Sequence, residues 1–182
     1  MSEERAFHYV CTHGEARRLV DQEPRFWLSN CGCREGRGHC DRSRIDVCLQ
    51  FRSDAAAPAT ERHEITRADV EEILIEAQEK HLVTRPYRDE KTRTETHGIC
   101  FCCDDCCSYF LNQEERCDKG AWIEATDLAR CNDCLACVDA CYFGARQDVG
   151  GTLRSSHDQC YGCGLCLTVC PTECITLIPR VA

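Results

Sequence analysis

Cys131-Asn-Asp-Cys134-Leu-Ala-Cys137-Val-Asp-Ala-Cys141 returns 29 residues later as Cys160-Tyr-Gly-Cys163-Gly-Leu-Cys166-Leu-Thr-Val-Cys170. Eight cysteines thus fall twice into the spacing C-x2-C-x2-C-x3-C, with 18 residues between the halves. Cysteines at every third residue let a tight loop curl until three thiols converge. The fourth, on the helical turn that follows, faces across the repeat. Each half is expected to be a short strand, a loop and one or two helical turns. Outward from this repeat, cysteine remains the dominant feature: 20 of the 182 residues. Such density means a disulfide framework or bound metal. A secretory signal needs a basic start and an apolar run, and MSEERAFHYV offers neither. Arg17-Arg18 is followed by LVDQEPRFWL, whose Asp21, Glu23 and Arg25 do not suit an export signal. The expectation is a cytoplasmic chain whose thiols stay reduced and serve as ligands.

The repeat resembles the bacterial-type dicluster ferredoxins over about residues 125–180. That resemblance implies two [4Fe–4S] clusters, each taking its fourth cysteine from the other half. One would use Cys131, Cys134, Cys137 and Cys170. The other would use Cys160, Cys163, Cys166 and Cys141. The competing reading is a pair of zinc sites, but zinc takes two C-x2-C pairs and has no need of a third cysteine at the same interval. The second half keeps the family's Cys170-Pro171, whereas the first has Cys141-Tyr142, with Tyr142 expected either against a cluster or in plain packing. Cys174 aligns with Ala145 in the repeat and reads as a packed thiol.

Eleven further cysteines precede residue 120. Cys31-Gly-Cys33-Arg34 is followed by Cys40 and Cys48. A second group runs Cys100-Phe-Cys102-Cys103-Asp-Asp-Cys106-Cys107. Its doublets, four residues apart, are expected to flank a tight ligand-bearing turn. The layout resembles a group of anaerobic multi-cysteine ferredoxin-like proteins that place a C-x-C-R segment and a cysteine-doublet segment before a dicluster module. Asp105 stands where that pattern would put one more cysteine. Three readings stay open: one or two further iron–sulfur clusters, structural zinc, or reactive thiols. Cys31, Cys33, Cys40 and Cys48 form one candidate set and Cys100, Cys102, Cys103, Cys106 and Cys107 another, with mixing between them allowed. Cys11 and Cys117 read as core thiols, His13, His39 and His97 as surface or hydrogen-bonded histidines, and Asp104-Asp105 as a solvated turn.

Residues 51–99 hold no cysteine. A loop is expected over 53–60. Thr66 with Asp69 makes a capping box and Ile65 with Val70 a staple for a helix over 67–80, with Val70, Ile73, Leu74 and Ala77 inward. A strand should start at Leu82-Val83 and stop near Pro86. A first helix is expected over 15–22, with Ala16, Leu19 and Val20 inward, ending before Pro24. The expected class is α+β: a small, cysteine-rich, mainly helical domain over 1–120, then a dicluster module with a pseudo-two-fold repeat over 121–182. With one Met, six Phe and two Trp, apolar bulk is scarce, and bound clusters are expected to serve as core.

The net charge of −9, from 31 acidic and 22 basic residues, argues against nucleic acid and suits docking on a basic protein surface. No stretch approaches the roughly 18 apolar residues that cross a bilayer. The resulting reading is an electron-wiring subunit of an anaerobic oxidoreductase complex, partnered by a flavoprotein or metalloenzyme subunit in a hetero-oligomer. Its rivals are an enzyme subunit whose N-terminal cysteines hold a substrate-reducing cluster, and a redox sensor. No Gly-rich nucleotide loop, Ser/His/Asp arrangement or paired carboxylates stand out to favour catalysis.

Overall fold

The structure is a computed structural model that describes residues 4–55, 60–112 and 115–181. Ala56, Ala57 and Pro58, central to the expected loop, lie outside the described residues. The chain begins with β1 (His8–Tyr9), α1 (His13–Asp21), β2 (Phe26–Ser29), α2 (Gly32–Arg37) and β3 (Cys48–Gln50). β4 (His63–Ile65), α3 (Arg67–Glu79), β5 (Val83–Arg88) and β6 (Thr96–Cys102) follow, then α4 (Ser108–Asn112) and β7 (Cys117–Asp118). The seven strands form one sheet in the order β4-β2-β3-β6-β5-β1-β7, antiparallel throughout except for the parallel β1–β7 pair. The expectation of a mainly helical N-terminal part is therefore corrected: a sheet organises it. Its strands are short and carry cysteine, arginine and a proline where a strand pattern would show Val or Ile, so the period-two signal is masked.

Both expected helices form. The Thr66–Asp69 box caps α3, and Val70, Ile73, Leu74 and Ala77 are buried. α1 starts two residues before the expected boundary because Thr12 and Glu15 make a second capping box. β5 runs through Pro86 to Arg88 instead of stopping there. Thr84 and Arg88 turn their backbone groups toward the β1 side, so the donor that Pro86 lacks falls on that edge, where β1 is only two residues long.

Strand alternation then divides the sheet. Ile99 and Phe101 of β6 join Leu28, Leu49, Val20, Val70 and Ile73 in an apolar core against α1 and α3. Cys100 and Cys102 of the same strand, with Cys48, Arg85 and Tyr87, lie on the opposite face. The scarce apolar residues are thus concentrated in one conventional core, and the N-terminal part does not depend on metal for all of its interior.

The C-terminal part adds β8 (Trp122–Thr126), α5 (Ala136–Asp139), β9 (Arg146–Asp148), β10 (Leu153–Ser155), α6 (Leu165–Thr168) and β11 (Ile175–Pro179). β8 pairs antiparallel with β11, and β9 with β10. Trp122 Nε1 donates to Glu15 Oε1 at 3.0 Å, and the Gly120 amide donates to the Tyr161 carbonyl, tying this part to the sheet. No helix among the described residues is long and apolar enough to cross a membrane.

Candidate metal centres

The two cysteine loops share unusual backbone. Asp133 and Leu135 have φ of 52° and 61°, and Gly162 and Gly164, 29 residues on, have 75° and 81°. These left-handed residues curl each loop between its cysteines. Asp133 tolerates the conformation because its Oδ1 accepts the Leu153 amide at 2.9 Å. At Gly162 any Cβ would lie 2.1 Å from the Trp122 carbonyl oxygen, so only glycine fits. Arg180 secures the second loop by donating to the Gly120, Trp122 and Cys160 carbonyls.

Two cavities result. One is lined by Cys160, Cys163 and Cys166 together with Cys141. The other is lined by Cys131, Cys134 and Cys137 together with Cys170 and Cys174. Within each, three thiols come from one half of the repeat and a fourth from the other, and Cys174 adds a fifth beside Cys170 in the second. None of these cysteines belongs to a trio of thiols within 4.8 Å of one another among the described residues. They spread around a void, as ligands on separate corners of a cluster must. Buried Arg146 reaches in between, its Nη1 3.4 Å from Cys137 Sγ, and its Nε has no hydrogen-bond partner among the described residues. Its Nη2 pairs with buried Glu124 and donates to Thr126 Oγ1 at 2.9 Å. Burial holds the Cys163 and Cys166 thiols up at about 12, so metal must displace their protons. A cationic side chain, a positive-φ cradle and at least four thiols per void suit an anionic iron–sulfur cluster.

Cys174 is buried, as expected of a packed thiol, yet its Sγ is 3.5 Å from Cys170 Sγ. Tyr142 packs instead of proline: its ring takes Arg42 at 5.1 Å and Phe110 at 5.8 Å, joining the C-terminal part to the N-terminal one.

The nine N-terminal candidates group across segments. Cys31, Cys33, Cys48, Cys100, Cys102, Cys106 and Cys107 line a chamber of about 460 Å³ on the free face of the sheet. Arg85 lies there, 2% exposed, with Nη1 3.4 Å from Cys107 Sγ and 3.7 Å from Cys102 Sγ. Its Nη2 donates to Glu115 at 3.2 Å, and Glu115 also pairs with His8, whose Nε2 is 3.8 Å from Cys100 Sγ. The remaining two, Cys40 and Cys103, group with Cys106, which belongs both to that trio and to the chamber wall. The Cys102-Cys103 doublet is split between the two places, on the near side of the tight turn at 104–106.

Cys11 and Cys117 are inert core thiols: burial raises them to about 12 and about 11. His13 Nε2 donates to the Leu82 carbonyl, His97 faces Asp89 and Glu95, and His39 is exposed beside Asp41. Asp104 and Asp105 are ion-paired to Arg42 and Arg37 rather than merely solvated. Sequence reasoning missed Arg85, Arg146, Glu124 and His8. A buried arginine carries no spacing signal, although Arg34 was visible within C-x-C-R.

Residues 156–176 match the 4Fe–4S binding domain family. Over 65 residues the chain is 39% identical to pyruvate synthase subunit PorD of Thermotoga maritima, covering 34% of this chain and 66% of that subunit. Over 58 residues it is 38% identical to archaeal-type glutamate synthase [NADPH] of the same organism and of Thermotoga sp. strain RQ2, covering 31% of this chain and 11% of those proteins. The chain thus spans about a tenth of the synthases and just under two thirds of the PorD subunit. With thiols gathered around voids and the matching residues lying on the second cysteine loop, the C-terminal part of this chain is a ferredoxin-type 4Fe–4S binding domain.

Proposed function

We propose that this chain wires electrons within an anaerobic oxidoreductase complex, with residues 121–182 as a pseudo-two-fold dicluster module. Cys131, Cys134, Cys137 and Cys170 hold one cluster and Cys160, Cys163, Cys166 and Cys141 the other. The cysteine-lined chamber holds a further one. When bound, each such cluster takes up and releases one electron, at a potential set by charge, hydrogen bonds and exposure. The single observation that carries the reading is one packed side-chain cluster that contains Cys102 and Cys107 of the chamber and Cys163 of the second loop. Tyr109, Phe110, Tyr142, Phe143 and Tyr161 fill the space between, with Phe143 and Tyr161 stacked at 4.3 Å. These rings pack the two thiol groups against one another. All twenty cysteines are free, which supports a reducing, cytoplasmic setting. The acidic surface and the synthase names of the relatives support a flavoprotein or metalloenzyme partner.

The test is iron, sulfide and EPR on anaerobically purified chain. About eight irons and eight sulfides are expected from the C-terminal module, and about twelve of each with the chamber filled. The reduced sample should give EPR lines broadened by coupling between neighbouring centres. A chain that is fully folded without iron sinks the proposal. The chamber's opening, with His8, Arg85 and Glu115 on its wall, favours a second reading in which its cluster reduces a substrate. Turnover of a small substrate by the isolated chain would select that one.

Cys174 allows a further expectation. Because its thiol sits 3.5 Å from that of Cys170, Cys170→Ala should keep most of its iron while Cys170→Ala/Cys174→Ala loses about four irons. Equal iron loss in the two variants would show that Cys174 cannot reach.

A further inference from the structure

Cys40, Cys103 and Cys106 differ from every other cysteine group among the described residues: their sulfurs all lie within 4.8 Å of one another. Cys103 Sγ is 3.5 Å from Cys40 Sγ and 3.4 Å from Cys106 Sγ. Thiolates on a cubane bind different irons and point outward from separate corners, so their sulfurs stand much farther apart. Thiolates on one tetrahedral ion with metal–sulfur bonds of about 2.3 Å are separated by about 3.8 Å. Two edges of the trio are a few tenths of an ångström from that value, and the third is within 4.8 Å.

Charge points the same way. Arg34 is fully buried, held by the Arg44 and Phe101 carbonyls through its two terminal nitrogens, and its Nε has no hydrogen-bond partner among the described residues. Its side chain reaches Cys106 and faces Cys40 and Cys103. A divalent ion with three thiolates carries one net negative charge, which one guanidinium balances. Cys103 and Cys106 are buried, while Cys40 is partly open. The open side lies beside Asp105, whose Oδ2 accepts the Asp41 amide at 3.0 Å.

We propose that Cys40, Cys103 and Cys106 form a mononuclear zinc site, distinct from the iron–sulfur centres, with an oxygen donor in the fourth position on the Asp105 side. The site pins the loop that carries Cys40 to the turn between the two doublets. This accounts for the doublets: Cys102 and Cys107 line the chamber, Cys103 faces the zinc, and Cys106 stands at the boundary between the two. The inference stands independently of how many clusters the chain holds.

The experiment is zinc, iron and sulfide analysis of the anaerobically purified full chain, with Cys40→Ser, Cys106→Ser and Cys102→Ser variants and zinc-edge X-ray absorption on the unmodified protein. About one zinc per chain is expected, with three sulfur neighbours at about 2.3 Å and one oxygen. Zinc should fall at least fivefold in Cys40→Ser and Cys106→Ser while the iron-to-sulfide ratio holds, and should stay in Cys102→Ser. Cys40 is partly exposed, so its variant tests the site even where Cys106→Ser fails to fold. The absorption spectrum needs no variant at all. Absence of zinc from the unmodified chain overturns the proposal. So does loss of iron and sulfide together from Cys40→Ser, which would place a cluster at the trio.

Discussion

Cys134→Ser is expected to remove about four irons and four sulfides per chain and to melt the C-terminal part at a lower temperature than the unmodified protein. Cys134 is the exposed member of its set, on the loop where Asn132 accepts its amide at 3.3 Å, so the substitution disturbs no apolar packing. Any loss of stability must therefore come through ligation. The walls of that void offer little else: Leu153, Ile175 and the cysteines themselves make up its buried cluster. Without a cluster, the backbone of 131–141 keeps two residues in left-handed conformations, of which Asp133 is held by the Leu153 amide. The control is Cys11→Ala. Cys11 is equally a cysteine and more deeply buried, but it packs among Val20, Leu82 and Phe101, so iron and sulfide should be unchanged while stability falls by the cost of a small cavity. Iron analysis with thermal denaturation of the two variants separates ligand from filler. Unchanged iron in Cys134→Ser would exclude it from the ligand set.

Legibility differed between the two parts for a physical reason. In the C-terminal repeat one short loop supplies three thiols, so spacing along the chain is spacing in space, and the three thiols of each loop line one cavity. In the N-terminal part the thiols converge from α2, β3, β6 and the loops between them, and sequence distance says nothing about which meet. β6 reads Thr-His-Gly-Ile-Cys-Phe-Cys, an alternation of apolar and cysteine that fits a strand, yet cysteine reads as a ligand and hides the alternation. That one misreading cost both the sheet and the division of the doublets. The helices were legible because capping boxes and period-3.6 burial are local. The charged groups were not. Arg34, Arg85 and Arg146 are ordinary arginines in sequence, and only the fold reveals that each is buried against thiols.

Those arginines have a shared consequence. Thiolate-bound iron–sulfur clusters are anionic, and reduction adds a further negative charge, so a buried guanidinium nearby favours the reduced state. Arg146 is the best placed for a test because its side chain is 1% exposed and its partner Glu124 is 3% exposed. Arg146→Met keeps the volume but leaves the Glu124 carboxylate buried without its cation. His157, which is 57% exposed, stands 3.5 Å from the other carboxylate oxygen and compensates only in part. Breaking a buried pair on one side costs about 3–5 kcal/mol, so a large fall in denaturation midpoint is expected. The potential of the cluster beside Cys137 should also drop, on the order of 50–100 mV, as the positive charge is lost from a site of low dielectric. Arg146→Met/Glu124→Gln removes both charges. It should recover most of the stability and bring the potential back toward the unmodified value, because the two charges act on the cluster with opposite sign. Redox titration followed by EPR, paired with chemical denaturation, reads both effects. A single variant with unchanged potential and lost stability would make Arg146 a structural residue alone; a double variant as unstable as the single one would mean that the guanidinium's hydrogen bonds to Cys137 and Thr126, not its charge on Glu124, hold β8 and β9 together.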